Sequence, residues 1–123
     1  MIKRLKHKIK MIYQKLRYNF CDEDTYSLNA YEMKRVNKLY KRYLELASEI
    51  IDLSYFKYNI KGKEMTQKEV IERIIELSQL YLDKYDNPFT NYDSDCESWE
   101  KELNELLDEY FECRRKVFLQ MWW

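Results

Sequence analysis

Turn-forming residues are scarce in this chain, and that scarcity limits the folds open to it. Its 123 residues include one glycine and one proline, and no Asn-Gly or Asp-Gly pair occurs. Tight β-turns depend on such residues, so a sheet protein would need more of them. Apolar residues make up 46% and charged residues 36%, a mixture typical of long amphipathic helices. We therefore predict an all-α fold in a single domain over residues 1–123, a length sufficient to bury a core.

Apolar residues three and four positions apart mark the first two predicted helices. The first is a basic amphipathic helix within residues 1–21, with an aliphatic stripe of Ile2, Leu5, Ile9, Ile12 and Leu16. The second is a long helix over about 28–58. Its predicted core stripe is Leu28, Tyr31, Val36, Leu39, Tyr43, Leu46, Ile50 and Leu53. Such a length exceeds what a compact domain of this size needs, which favours a homo-oligomer.

Two capping boxes predict where the remaining helices begin. Thr66 and Glu69 precede the third helix, which runs to about Tyr85, and Ser94 and Glu97 precede the fourth. The predicted core stripe of the third helix is Val70, Ile71, Ile74, Leu77, Leu80 and Tyr81. That of the fourth is Trp99, Leu103, Leu106, Tyr110, Cys113, Val117 and Met121, broadened by Phe111 and Phe118. The basic residues Arg114, Arg115 and Lys116 match the dipole at the end of the fourth helix. The segment "NIKGKEMT" before the third helix is predicted to be a loop. Four helices joined by short connections predict an antiparallel four-helix bundle with one long helix.

Charge is unevenly distributed along a chain whose formal net charge is zero. Residues 1–21 contain seven lysines and arginines and no acid, so the remainder has fifteen bases against twenty-two acids. The basic helix has three open interpretations: it packs within the bundle, it lies on an anionic membrane or other polyanion, or it enters a groove of a partner.

Residues that carry catalysis are few. His7 is the only histidine, the three cysteines have no CxxC spacing, and a single glycine cannot build a phosphate-binding loop. We therefore predict a protein that is not an enzyme, with no catalytic residue, cofactor or metal site. No run of eighteen apolar residues and no signal peptide is visible, so we expect a cytoplasmic protein with no transmembrane segment.

Aromatic residues are abundant, and twelve of the twenty are tyrosines. Tyrosine and tryptophan are enriched in recognition surfaces, particularly beside charged residues. We predict that one of the two adjacent tryptophans at 122 and 123 closes the bundle while the other faces outward. The predicted partner-binding residues are Trp122, Trp123, Phe89, Tyr92, Tyr40, Lys41 and Arg42.

Three stretches carry a resemblance to a known group of proteins. "KIKMIYQKLRYNFCDEDTYSLNAYEMKRVNKLYKRYLEL" is similar to the opening of a family of small phage and prophage proteins. The family has a basic helix, an acidic break beside an aromatic residue, and then a long helix. "KEVIERIIELSQLYLDKY" resembles its middle helix, and "EKELNELLDEYFECRRKVFLQMWW" its closing helix. After the acidic break the family has an aromatic-Ser-Leu element, in which its Trp before Ser-Leu is Tyr26 here and its following Asp is Asn29. Its Gly/Tyr/Pro-rich connector is replaced by "NIKGKEMT".

The resemblance implies an accessory protein of a virus or mobile element. With the shortage of catalytic residues, it leads to the expectation of a binding protein that modulates or inhibits a host protein, with a host defence system as the expected target. Two alternatives stay open. One is a structural or nucleic-acid-associated virus protein that uses the basic helix, and the other is a nucleotide-binding sponge that uses Tyr40 or Tyr43 with nearby lysines.

Overall fold

A computed structural model describes residues 2–18, 27–86 and 92–121, except for the side chains of Asp86 and residues 92–96. In chain order the elements are α1 (Ile2–Tyr18), α2 (Leu28–Ala47), β1 (Lys57–Ile60), β2 (Lys63–Thr66), α3 (Gln67–Asp86) and α4 (Tyr92–Val117). A 3-10 turn at Phe118–Gln120 follows α4. The fold is mostly helical, with one two-stranded antiparallel sheet. None of the described helices combines the length and the apolar character needed to cross a membrane.

The chain divides into two compact units, Met1–Glu32 and Met33–Trp123. The first contains α1, which has no buried residue along its 17 positions. Its aliphatic stripe is exposed, from 57% at Ile9 to 83% at Leu16. A single domain over residues 1–123 stays a prediction.

The core of the second unit lies between α3 and α4. Their buried side chains recur at helical spacing, as predicted: Val70, Ile71, Ile74, Leu77 and Tyr81 on α3, and Leu106, Tyr110, Cys113 and Val117 on α4. The prediction was wrong for Leu80 and Phe111, which are 40% and 58% exposed. Lys84 pairs with Glu102 and Arg73 with Glu109. Because earlier residues of α3 meet later residues of α4, the two helices are antiparallel.

The predicted capping box at the start of α3 is confirmed. The Glu69 amide donates to Thr66 Oγ1 at 3.2 Å, and the Thr66 amide donates to Glu69 Oε1 at 3.1 Å. Two backbone donors that the helix itself cannot satisfy are thereby paired. The prediction for α4 was less accurate. Its helical backbone has already begun at Tyr92, so Ser94 lies inside the first turn instead of at the cap.

The predicted long helix over 28–58 is wrong, because α2 ends at Ala47. Short polar side chains beyond that point bond to nearby main-chain groups. Ser48 Oγ donates to the Glu45 carbonyl at 3.1 Å, and Asp52 Oδ1 accepts from the Ser54 amide at 2.9 Å. Such local bonds compete with the helix ladder, so the chain turns instead of continuing.

The predicted loop "NIKGKEMT" is a β-hairpin instead. Ile60 stands opposite Lys63, which leaves Lys61 and Gly62 as a two-residue turn. Both have positive φ, 52° and 80°, as a type I′ turn requires. Asn59 Oδ1 accepts from the Gly62 amide at 2.9 Å and stabilises the turn. The all-α prediction therefore holds for most of the chain, and the hairpin is its correction.

The antiparallel four-helix bundle is not confirmed. In the second unit the hairpin packs on α3 and α4. The predicted bundle had assigned the first residues of this hairpin to the end of the second helix. The hairpin contributes Ile60 to the core, since this side chain is 2% exposed, while the neighbouring strand residues stay near the surface.

Candidate functional site

The predicted partner-binding residues divide into those that the structure describes and those that it does not. Phe89, Trp122 and Trp123 lie outside the described residues. The prediction that one tryptophan closes the bundle while the other faces outward therefore lies outside them too. Tyr92 is the first residue of α4, but its side chain is not described. The described members are the sequence neighbours Tyr40, Lys41 and Arg42 on α2, of which Lys41 and Arg42 are exposed.

Two of these residues lie in a groove of about 490 Å³ between α2 and the end of α4. Its walls are mainly apolar and aromatic, and two arginines stand among them. We call it the aromatic groove. It is lined by Leu39, Tyr40, Arg42, Tyr43, Leu46, Arg114, Phe118 and Met121. The structure thus brings Tyr40 and Arg42 together with residues more than seventy positions away.

The groove exists because α2 buries a different face from the one predicted. Ala30, Met33, Asn37 and Ala47 are its buried residues, whereas Leu39 is 57% exposed. The Asn37 side-chain amide donates to Ser78 Oγ at 3.0 Å and to the Ile75 carbonyl at 3.2 Å. A buried amide is stabilised only when it is paired, and these bonds fix the orientation of α2 on α3. The predicted stripe is therefore wrong at several positions, with Leu28 and Ile50 also exposed.

Arg114 joins the two walls of the aromatic groove. Its Nε donates to the Tyr40 hydroxyl at 3.3 Å, and its guanidinium lies 5.7 Å from the Tyr40 ring centre and 5.9 Å from that of Tyr110. Burial, the largest single influence, lowers the pKa of Arg114, but the hydrogen bonds and charge interactions with Tyr40 and Tyr110 together raise it above its ordinary value. The arginine is therefore a fixed cation, held between two aromatic rings.

The turn that carries Phe118 is held by side chains from the hairpin and the start of α3. Gln67, which is 1% exposed, donates through Nε2 to the Gln120 carbonyl at 3.2 Å. The Tyr58 hydroxyl lies 3.2 Å from Gln120 Oε1 and donates to it. Burial raises the pKa of Tyr58 and of Tyr43, so both hydroxyls stay neutral. The turn that brings Phe118 to the groove is thereby held in place by bonds within the chain.

A second depression, of about 520 Å³, lies between the hairpin, α3 and α4. Its charges are largely paired within the chain. Arg73 forms a forked pair with Glu109, with Nη2 2.9 Å from Oε1, and Nη1 of the same arginine contacts Glu76 at 3.0 Å. Glu69 is occupied in the capping box. A ligand would have to displace these bonds, so the aromatic groove is the better candidate site.

The Arg73–Glu109 pair predicts a pH-dependent contribution to stability. The hydrogen bond from Arg73 lowers the pKa of Glu109. A lowered folded-state pKa stabilises the protein above the unfolded value, near pH 4.3, and that contribution is lost as the pH falls through the folded value. We expect Glu109→Gln to reduce the free energy of unfolding by roughly 1–2 kcal/mol at pH 7, and by much less at pH 3. Urea unfolding at a series of pH values measures this.

Glu105→Gln is the matched control, because Glu105 is an exposed acid on the same helix. It should change stability little at either pH. An effect of Glu109→Gln that were equally large at pH 3 and pH 7 would contradict the assigned role of the ion pair.

Nucleophilic and metal chemistry have little support in the described residues. Burial raises the pKa of the Cys113 thiol to about 11, so this cysteine is a neutral core residue. Among the residues with described side chains, no group of three histidines, cysteines or acids could hold a metal ion. The geometry of the aromatic groove instead suits recognition, with apolar walls, the fixed Arg114 and the exposed Arg42.

Sequence reasoning missed Leu39, Arg114 and Phe118 as site residues. Leu39 was assigned to the core, Arg114 to the favourable charge at a helix C-terminus, and Phe118 to a broadened core stripe. A usable signal was present along α4 and the turn that follows it, where Phe111 and Phe118 lie off the core stripe, and both are more than half exposed.

Comparisons with known proteins add no assignment. No family model matches the chain, and neither a curated protein nor a solved structure gives a significant match.

Proposed function

We propose that this chain is a non-enzymatic binding protein whose aromatic groove receives a segment of a host protein. One observation carries the proposal: the groove combines exposed apolar residues with two arginines, and no acid is among its described lining residues. Its occupant is therefore an apolar segment that carries an aspartate or glutamate. The acid would pair with the arginines while the apolar side chains cover Leu39 and Phe118.

The arginines are suited to this pairing in different ways. Arg114 is already oriented by Tyr40, so little side-chain freedom is lost when it binds a carboxylate. Arg42 contacts Glu45 at 2.9 Å, but both side chains are 66% exposed. Because such an exposed pair stabilises little, Arg42 can exchange Glu45 for an acid of the occupant at low cost. Arginine and tyrosine are also enriched among residues that dominate binding energy.

The resemblance to small phage and prophage proteins directs the choice of partner. We propose an accessory factor of a phage or mobile element that acts in the cytoplasm of a bacterial host. By occupying the groove, a segment of a host protein would be withheld from its normal contacts, which inhibits or modulates that protein. A component of a defence system is the first partner class to test. Self-association is a separate prediction, which light scattering of the purified protein checks.

A nucleotide is the second candidate occupant, and the placement of Tyr40 and Arg42 beside Arg114 is the observation that favours it. An aromatic ring could stack on a base while a guanidinium binds a phosphate. A thermal-shift screen with mono-, di- and cyclic nucleotides tests this candidate, and a flat response would remove it. The apolar character of most of the lining favours the protein segment. The remaining alternative, a structural or nucleic-acid-associated virus protein, does not involve the aromatic groove and depends on the basic helix α1.

A pair of substitutions in the groove tests the proposed function. Tagged wild-type protein, the Leu39→Ala/Phe118→Ala variant and a control are used for affinity purification from a bacterial host lysate, followed by mass spectrometry. The control is Leu80→Ala/Phe111→Ala, which removes exposed apolar groups outside the groove. The affinity of the purified partner is then measured by calorimetry. We expect the groove variant to bind roughly 10- to 100-fold more weakly, with the control near wild type.

Position 118 also reports the location of the contact. A photo-cross-linking amino acid in place of Phe118 should attach to the partner at a segment that carries an acid. Because Phe118 is 65% and Leu39 57% exposed, the groove variant should melt close to wild type. A partner that bound wild type, groove variant and control equally, or cross-linked only from other positions, would overturn the proposal.

A further inference from the structure

Helix α1 presents a continuous aliphatic stripe that α1 itself cannot bury. Ile2, Leu5, Ile9, Ile12 and Leu16 are each between 57% and 83% exposed. We propose that α1 lies in the plane of an anionic lipid surface, with this stripe in the acyl boundary and its basic side chains on the headgroup phosphates. The proposal depends on α1 alone, so it is independent of the aromatic groove.

The basic residues are placed as a lipid surface requires. At about 100° per residue they fall into two rows, one on each side of the stripe. One row contains Arg4, Lys8 and Lys15, and the other contains Lys3, Lys6, Lys10 and Arg17. Long basic side chains beside an embedded stripe cover apolar surface with their stems and extend their charges to the phosphates.

The face opposite the stripe completes the pattern. His7, Met11, Gln14 and Tyr18 lie there, between the two basic rows. A helix in solution has no need to keep its charges beside its apolar stripe, whereas a helix at a membrane surface does. With 17 residues, α1 is about 25 Å long, enough to lie across several headgroups.

A second copy of α1 is a poor alternative occupant for the stripe. Both flanks are basic and the helix contains no acid, so two copies packed stripe to stripe would bring like charges together along the contact. The acidic first half of α4 in a second copy would supply opposite charge. Yet no large apolar side chain is exposed among the described residues 97–110. Contact with this part of α4 would therefore leave the aliphatic stripe of α1 largely uncovered.

Binding to nucleic acid would use the basic side chains of α1 but would give its aliphatic residues no role. Phosphate contacts need lysine and arginine and take place in water. Five exposed aliphatics in one row would gain nothing from them. An anionic lipid surface is the occupant that uses both properties of α1, because apolar insertion and attraction to negative lipid add to each other.

Vesicle flotation with the full chain tests the proposal. The probes are phosphatidylcholine vesicles with and without about one-third phosphatidylglycerol. Since each base near such a surface contributes roughly fivefold, we expect at least tenfold stronger binding to the anionic vesicles. Ile9→Ser/Ile12→Ser should reduce that binding at least tenfold, and Lys6→Gln/Lys10→Gln should also weaken it. The matched control, His7→Ser/Gln14→Ser on the opposite face, should bind like wild type.

The variants also separate the other occupants. Melting curves should be nearly unchanged for all of them, because the substituted residues are exposed, except for the half-buried Gln14 of the control. If Ile9→Ser/Ile12→Ser did unfold, the vesicle binding of Lys6→Gln/Lys10→Gln would test the proposal in its place. Equal binding to neutral and anionic vesicles, or binding unaffected by Ile9→Ser/Ile12→Ser, would overturn the proposal. So would salt-sensitive retention of duplex DNA without vesicle binding, or a dimer that the same serine substitutions dissociate.

Discussion

Ile74→Ala is expected to lower the free energy of unfolding by about 2–5 kcal/mol, the largest loss of stability that we predict. Ile74 lies in the middle of the buried face of α3 and has no exposed surface, with Ile71 and Leu77 beside it on the same face. Truncation removes buried carbon atoms and leaves a cavity that packed neighbours fill only in part. Total stability of a domain is about 5–15 kcal/mol, so a large fraction would be lost.

Urea unfolding followed by circular dichroism measures this loss, and the midpoint should fall by about 1–2 M. Ile74→Val removes one methylene group and should cost about 0.5–1.5 kcal/mol, which makes a graded series. Gln79→Ala, at an exposed position of the same helix, should stay within about 0.5 kcal/mol of wild type. If Ile74→Ala were as stable as Gln79→Ala, the assignment of the core to the contact between α3 and α4 would be wrong.

The sequence was sufficient to predict α3, its cap and the buried stripe of α4. These elements are specified locally. The Thr66–Glu69 box lies within four residues, and the stripe of α3 repeats every three or four positions without interruption. Local hydrogen bonds and periodicity both indicated a helix there, and the packing of α3 on α4 agrees with them.

The buried face of α2 could not be predicted in the same way. Periodicity ranks positions by size and apolarity, so it selected Leu39 and passed over Asn37 and Ala47. The structure does the opposite, since Asn37 and Ala47 are buried and Leu39 is not. What decides the face is a pair of hydrogen bonds from Asn37 to α3, 38 and 41 positions along the chain. Contacts of that range leave no local trace, and the aromatic groove is a consequence of them.

The hairpin was missed because its turn lacks the usual sequence. A type I′ turn favours Asn or Asp before Gly, and here Lys61 takes that position with a φ of 52°. Gly62 was therefore interpreted as a loop glycine. The strands are four residues each and expose much of their surface, so they lack a strong apolar alternation.

Gly62→Val is expected to destabilise the hairpin through the backbone conformation of its turn. Gly62 has a φ of 80°, and nothing lies within 4 Å of the place where a Cβ would be added. The cost is therefore conformational and not steric crowding by neighbours. A left-handed conformation costs an ordinary residue roughly 1–2 kcal/mol, and branching at Cβ increases the cost. Urea unfolding and hydrogen exchange at the strand amides would both report the loss.

Lys61→Asn is the informative companion to that substitution, since asparagine adopts the left-handed region more readily than lysine. We expect it to raise the free energy of unfolding by a few tenths of a kcal/mol, up to about 1 kcal/mol, while Lys63→Asn, on the strand beyond the turn, should not stabilise. Opposite signs at 61 and 62 would identify the turn type, because only a type I′ turn requires positive φ at both positions. If Gly62→Val were neutral and Lys61→Asn destabilising, the segment would not form this turn in solution.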